Sequence, residues 1–115
     1  MKIKIIIGDI QFSATLYDNE TAKNFFSMLP LTIKMTELNG NEKYYNFLQN
    51  ISKDTAQNTG TINAGDIMLY STNCIVLFYK TFSTNYSYIK IGYINNTKGL
   101  ETALGKGNIE ITFNK

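Results

Sequence analysis

The stretch Thr61-Ile-Asn-Ala-Gly-Asp-Ile-Met-Leu-Tyr-Ser-Thr-Asn-Cys-Ile-Val-Leu-Phe-Tyr-Lys-Thr-Phe-Ser-Thr-Asn-Tyr-Ser-Tyr-Ile-Lys-Ile-Gly-Tyr93 decides the fold. It is the densest apolar and aromatic sequence in the chain. It also holds most of the side chains able to line a site. Ala64-Gly-Asp66 turns the chain into a strand, Ile67-Met-Leu-Tyr70, and a polar break at Ser71-Thr-Asn73 follows. Cys74-Ile-Val-Leu-Phe-Tyr79 is then apolar throughout, as a strand covered on both faces is, and it is the expected central strand. Lys80–Tyr86 reads as a polar loop with Phe82 and Tyr86 embedded in it. Tyr88–Tyr93 returns to strand alternation.

The flanks carry the same signature. Lys2–Ile7 and Gln11–Tyr17 alternate around the turn signal Gly8-Asp9, which predicts a hairpin with one buried face. Asp18-Asn19 offers a helix cap, and Ala22, Phe25, Phe26 and Leu29 fall on one helical face before Pro30 ends it. Leu31, Ile33 and Met35 mark a third strand. Asn39-Gly40 is the strongest hairpin signal, leading to a fourth strand from about Glu42 to Phe47 with Tyr44 and Tyr45 on opposite faces. From Leu48 to about Thr61 periodicity fades into a polar loop, long enough for function or flexibility to be suspected. Thr97–Leu104 predicts a short helix, and Ile109, Ile111 and Phe113 a closing strand. The pattern is mainly β: about eight short strands and one or two short helices in a single domain over residues 1–115, which favours a sandwich or closed barrel. A barrel of that size fills its interior with side chains, so a site is expected on an outer face or rim.

Composition narrows the chemistry. The apolar fraction of 43% and charged fraction of 17% are those of a folded globular domain. A net charge of +2, with lysines scattered along the chain, gives no basis for nucleic acid or an anionic membrane as partner. Histidine, tryptophan and arginine are all absent. The Ser-His-Asp and Cys-His nucleophile pairs are therefore impossible. The commonest zinc ligand and the guanidinium clamp on anions are missing too, and nothing implies a cofactor or metal. The single cysteine, Cys74, sits in an apolar run and reads as a buried small residue rather than a reactive thiol. The apolar run of Met1–Gly8 is too short for a signal-peptide core, and no segment approaches membrane-spanning length, so the expectation is a soluble cytoplasmic protein.

Several pieces in matching order carry a family resemblance. They are Leu16-Tyr-Asp-Asn19, Phe26-Ser-Met-Leu-Pro-Leu31, Leu38-Asn-Gly-Asn-Glu-Lys-Tyr-Tyr45, Gly60-Thr-Ile62, Ala64-Gly-Asp-Ile67 with Tyr70, Phe78-Tyr79 and Ile91-Gly92. Taken together, the chain resembles the bacterial cyclophilin-like fold proteins, a family distinct from the true cyclophilin prolyl isomerases. The resemblance implies a cyclophilin-like closed barrel of eight strands capped by short helices. It implies no established activity. True cyclophilins bind a proline-containing peptide in an aromatic-lined groove and use an arginine to assist rotation about the X-Pro bond. Phe78-Tyr79 match the part of that pattern where groove aromatics occur, but the arginine has no counterpart, and lysine cannot supply its planar fork of donors.

The candidate site follows from the aromatics. Most rings in a β-protein serve packing. Tyrosine, however, is in excess over phenylalanine in this region and keeps a wet hydroxyl beside an apolar ring, which suits a groove wall. Tyr79, Phe82, Tyr86 and Tyr88 surround one loop. With Phe78 they are the first-rank ligand-binding residues, and Tyr44 and Tyr45 the second. Glu42 and Lys80 are a candidate polar anchor if they meet at one rim, with solvated strand ends the plainer reading. The leading expectation is a binding domain that presents an aromatic groove to a peptide or small apolar ligand. The alternatives are an atypical prolyl isomerase without the arginine, and a homodimeric module joined at a strand edge, so a monomer or weak homodimer.

Overall fold

The computed structural model describes all 115 residues. β1 (Lys2–Ile7) and β2 (Ile10–Leu16) form the expected hairpin, paired from Lys2–Thr15 to Ile7–Ile10. Helix α1 (Glu20–Ser27) is capped by Asn19, whose side-chain oxygen accepts the Ala22 N–H at 2.8 Å. Ala22, Phe25 and Leu29 are buried beneath it. β3 (Leu31–Leu38) and β4 (Glu42–Asn46) join through Asn39 and Gly40, both at positive φ (57° and 69°), the pair a tight hairpin turn requires. Two short strands follow, β5 (Gln57–Asn58) and β6 (Thr61–Ile62). Then come β7 (Asp66–Tyr70), β8 (Cys74–Phe78), the short β9 (Phe82–Ser83), β10 (Ser87–Ile94), helix α2 (Leu100–Leu104) and β11 (Ile109–Asn114).

The long strands run β2-β1-β11-β3-β4-β8-β7-β10, all antiparallel, and β10 pairs again with β2 through Gly92–Leu16 to Ile94–Ala14. This closes an eight-stranded barrel and leaves no long free edge. The seam depends on Gly92: a Cβ there would collide with the Thr15 carbonyl and approach Leu16 Cδ2 to 2.8 Å. The β10–β7 register slips between Lys90 and Gly92, which bends β10 towards its second partner.

Side chains fill the interior. Ile5, Met35, Leu69, Ile75, Leu77 and Phe113 are fully buried there, with Phe25 edge-on to Phe113 at 5.5 Å. A second, smaller core lies outside the barrel wall. There Ile62, Met68, Val76, Phe78 and Tyr88 are covered by the two-stranded β6–β9 flap. The two cores explain why β8 is apolar at every position. Ile75 and Leu77 face the interior, Val76 and Phe78 face the flap, and neither set meets water.

The segment from Leu48 to Thr61 is docked rather than loose. Ile51 is buried in the barrel core, and its N–H donates to the Thr72 carbonyl at 2.9 Å. Asp54 accepts hydrogen bonds from the N–H and hydroxyl of the buried Thr21 on α1. β5 pairs with Ser87 and Tyr88 of β10. No helix is long and apolar enough to cross a membrane.

Candidate functional site

Antiparallel register builds a cleft on the outer wall. Side chains alternate along each strand, so Glu42, Tyr44 and Asn46 of β4 share the outer face with Cys74, Val76 and Phe78 of β8 and with Met68 and Tyr70 of β7. The ladder sets Tyr44 opposite Val76, Glu42 opposite Phe78, and Tyr70 opposite Cys74. Tyr88 joins from β10, and Phe82, Thr84 and Tyr86 arrive from the flap side. Between them lies a cleft of about 610 Å³.

The rings form a continuous chain. Phe78 meets Tyr88 edge-on at 5.6 Å and Phe82 at 5.6 Å; Tyr88 meets Tyr70 at 5.7 Å, and Tyr70 meets Tyr86 at 5.9 Å. Exposure rises along it, from Phe78 at 0% and Tyr88 at 5% to Tyr70 at 44% and Tyr86 at 64%. The cleft thus has a dry floor and a wet aromatic rim.

Glu42 is the one charged side chain lining this cleft. It is half-buried, and its carboxylate takes part in none of the side-chain hydrogen bonds or salt bridges of the fold. Burial, with the charge of Glu37 second, pushes its carboxyl above the ordinary 4.5. Burial and then the Glu42 charge push the Tyr88 hydroxyl up to about 12. The same two causes raise the Cys74 thiol, so neither group ionises at neutral pH. Asn41, also in the cleft lining, keeps a buried side-chain oxygen with no hydrogen-bond partner.

The opposite face of β4 is closed. Lys43, 0% exposed, donates to Glu37 Oε1 at 2.8 Å and to the carbonyls of Gly105 at 2.8 Å and Gly107 at 2.6 Å. The Tyr79 hydroxyl donates to the same Glu37 oxygen at 2.8 Å, and the Gly40 N–H to Oε2 at 2.7 Å. All three ammonium hydrogens are thereby used, and the loop after α2 is tied to β4. Burial raises the Glu37 carboxyl, but the bonds from Lys43, Tyr79 and Gly40 outweigh it and hold the group below its ordinary value.

These placements sort the residues expected at the site. Phe82, Tyr86, Tyr88 and Tyr44 meet in the cleft. Phe78 lies beneath it as floor, fully buried and without a free face. Tyr79 does not join them: one residue past Phe78, alternation turns it towards the barrel end, where Glu37 holds it. Tyr45 likewise points inward, edge-on to Phe47 at 5.3 Å. The Glu42–Lys80 anchor does not form, because Lys80 pairs with Glu101 at 2.9 Å. Tyr70, Asn41 and Asn46 belong to the cleft without having been singled out for it. The period of two along Tyr70 and Met68, and along Cys74, Val76 and Phe78, is the signal that would have found that face.

Comparison with known proteins follows the architecture. A sequence profile described as the cyclophilin-like family matches residues 5–114. Among solved structures, the chain is similar to the solution structure of a hypothetical protein from Archaeoglobus fulgidus, with a TM-score of 0.66 and 19% identity, covering 99% of this chain and 93% of that one. That likeness is one of fold. No curated protein is significantly similar to the chain.

Proposed function

The chain belongs to the cyclophilin-like family, and on that footing we propose that it is a binding module, not a catalyst. The barrel is scaffold, and the outer cleft takes a small ligand or a short peptide segment. One observation carries this reading: rings from three strands and the flap converge on a single open cleft, while the barrel interior is filled. Packing alone does not call for a tyrosine at the rim with two-thirds of its surface in water, as Tyr86 has at 64%. A cytoplasmic setting belongs to the same reading.

The isomerase alternative is the weaker one. The chain has no arginine, and the one charge in the cleft, Glu42, has the wrong sign to replace it. The test is a titration with proline-containing peptides and small apolar molecules, followed by amide and ring NMR signals and by exchange between cis and trans X-Pro forms. Shifts confined to Tyr44, Tyr70, Tyr86 and Tyr88 with unaccelerated exchange are expected. Accelerated exchange, or no shift at these rings with any member of the set, overturns the proposal.

A further inference from the structure

The register sets Glu42 opposite Phe78, whose ring touches both Phe82 and Tyr88, so Glu42 shares the outer face with the aromatic chain that leads to Tyr70 and Tyr86. Its neighbours do not neutralise it. Lys43, next in sequence, is committed on the other side of the strand to Glu37, and Lys80 is committed to Glu101. No lysine lines the cleft. A half-buried carboxylate without a partner is costly to keep, and the expense is offset when a cation arrives. Ring faces also attract cations, most strongly once water is displaced. An anionic ligand would meet a like charge and no cationic side chain.

Resting on the binding reading above, we propose that the ligand of this cleft carries an alkylammonium group, with Glu42 as its counter-ion and Tyr70, Tyr86 and Tyr88 as the aromatic wall beside it. The same chemistry is offered by a free amine and by a lysine side chain on a peptide.

The test uses the intact protein and matched probes that differ in charge. n-Butylamine is compared with n-butanol, and the tripeptide Gly-Lys-Gly, blocked at both ends, with its Nε-acetyl form, each titrated at neutral pH while the ring signals of Tyr70, Tyr86 and Tyr88 are followed. The cationic member of each pair is expected to bind about tenfold tighter, and Glu42→Gln to remove that advantage. Equal affinity of the two amines identifies the head group as sufficient, whereas a tripeptide about tenfold tighter than n-butylamine identifies a peptide source; both support the proposal. Equal binding of charged and neutral members overturns it while leaving the binding reading intact. No response of the three rings to any probe overturns both. The charged–neutral comparison needs no variant, so it decides the matter even if Glu42→Gln misfolds.

Discussion

Glu42 and Lys43 are neighbours on one strand and have opposite fates. Lys43 turns to the barrel end, loses all contact with water, and has every donor matched by Glu37, Gly105 and Gly107. Glu42 turns to the outer wall and is left half-buried with no partner among aromatic rings. The contrast separates two uses of a buried charge. Where every lone pair and proton is satisfied, the group fixes the fold, because removing one member strands the others. Where a charge is shielded but unmatched, it does not fix the fold in this way, and in the reading proposed above it is left to meet a cationic ligand.

The largest effect that would break this comparison lies on the closed side. Lys43→Ala is expected to lose about 3–5 kcal/mol of stability in urea unfolding, because Glu37 and two glycine carbonyls lose their donor together. A loss below about 1 kcal/mol would show that the network does not hold the loop after α2. Gly92→Ala comes next, at about 3 kcal/mol, the upper end for overpacking, since a methyl group at the seam pushes on the β2 backbone as well as on the Leu16 side chain. Tyr79→Phe is expected to lose about 1.5–3 kcal/mol, the range for a hydrogen bond to a charged group, and to leave probe binding in the cleft unchanged. The smallest effect belongs to the open side. Tyr86→Ala should stay within about 0.5 kcal/mol of the parent in urea, yet weaken the binding of amine probes.

The two glutamates also sharpen the comparison through pH. Glu37 has a folded value below 4.5, so its stabilisation is present above the unfolded value and is lost as pH falls through the folded one. Glu42 has a folded value above 4.5, so the folded state holds that proton more tightly and stability falls as pH rises from 4.5 through the folded value. Urea midpoints followed across the acid range should therefore change in opposite ways for Glu37→Gln and Glu42→Gln. The first removes a gain with rising pH, and the second removes a loss.

Much of the fold is legible in the chain because its signals are local. Gly8-Asp9 and Asn39-Gly40 mark two hairpins, alternation in Gln11–Tyr17 and Leu31–Met35 marks which faces are buried, and the unbroken apolar run Cys74–Phe78 announces a strand covered twice. What is not legible depends on pairing between distant segments. β5, β6 and β9 are two residues each, too short for any periodicity to show, so the flap that forms the second core reads as loop. Ile51 sits in a polar stretch and gives no sign that tertiary contacts bury it. The candidate site is half legible for the same reason. Phe82, Tyr86 and Tyr88 stand close in sequence, but Tyr70 and Glu42 reach them only through the β4–β8–β7 register. Tyr79, adjacent to Phe78, is carried to the other face by the alternation that brings the rest together.

One measurement bears most directly on the split between the closed and open faces of β4: NMR titration of the side-chain carboxyl carbons of Glu37 and Glu42, with and without n-butylamine. Glu37 is expected to titrate below 4.5 and to ignore the amine, while Glu42 titrates above 4.5 and moves down when the amine is added. A Glu42 that titrates at or below Glu37, or that does not respond to the amine, would contradict it.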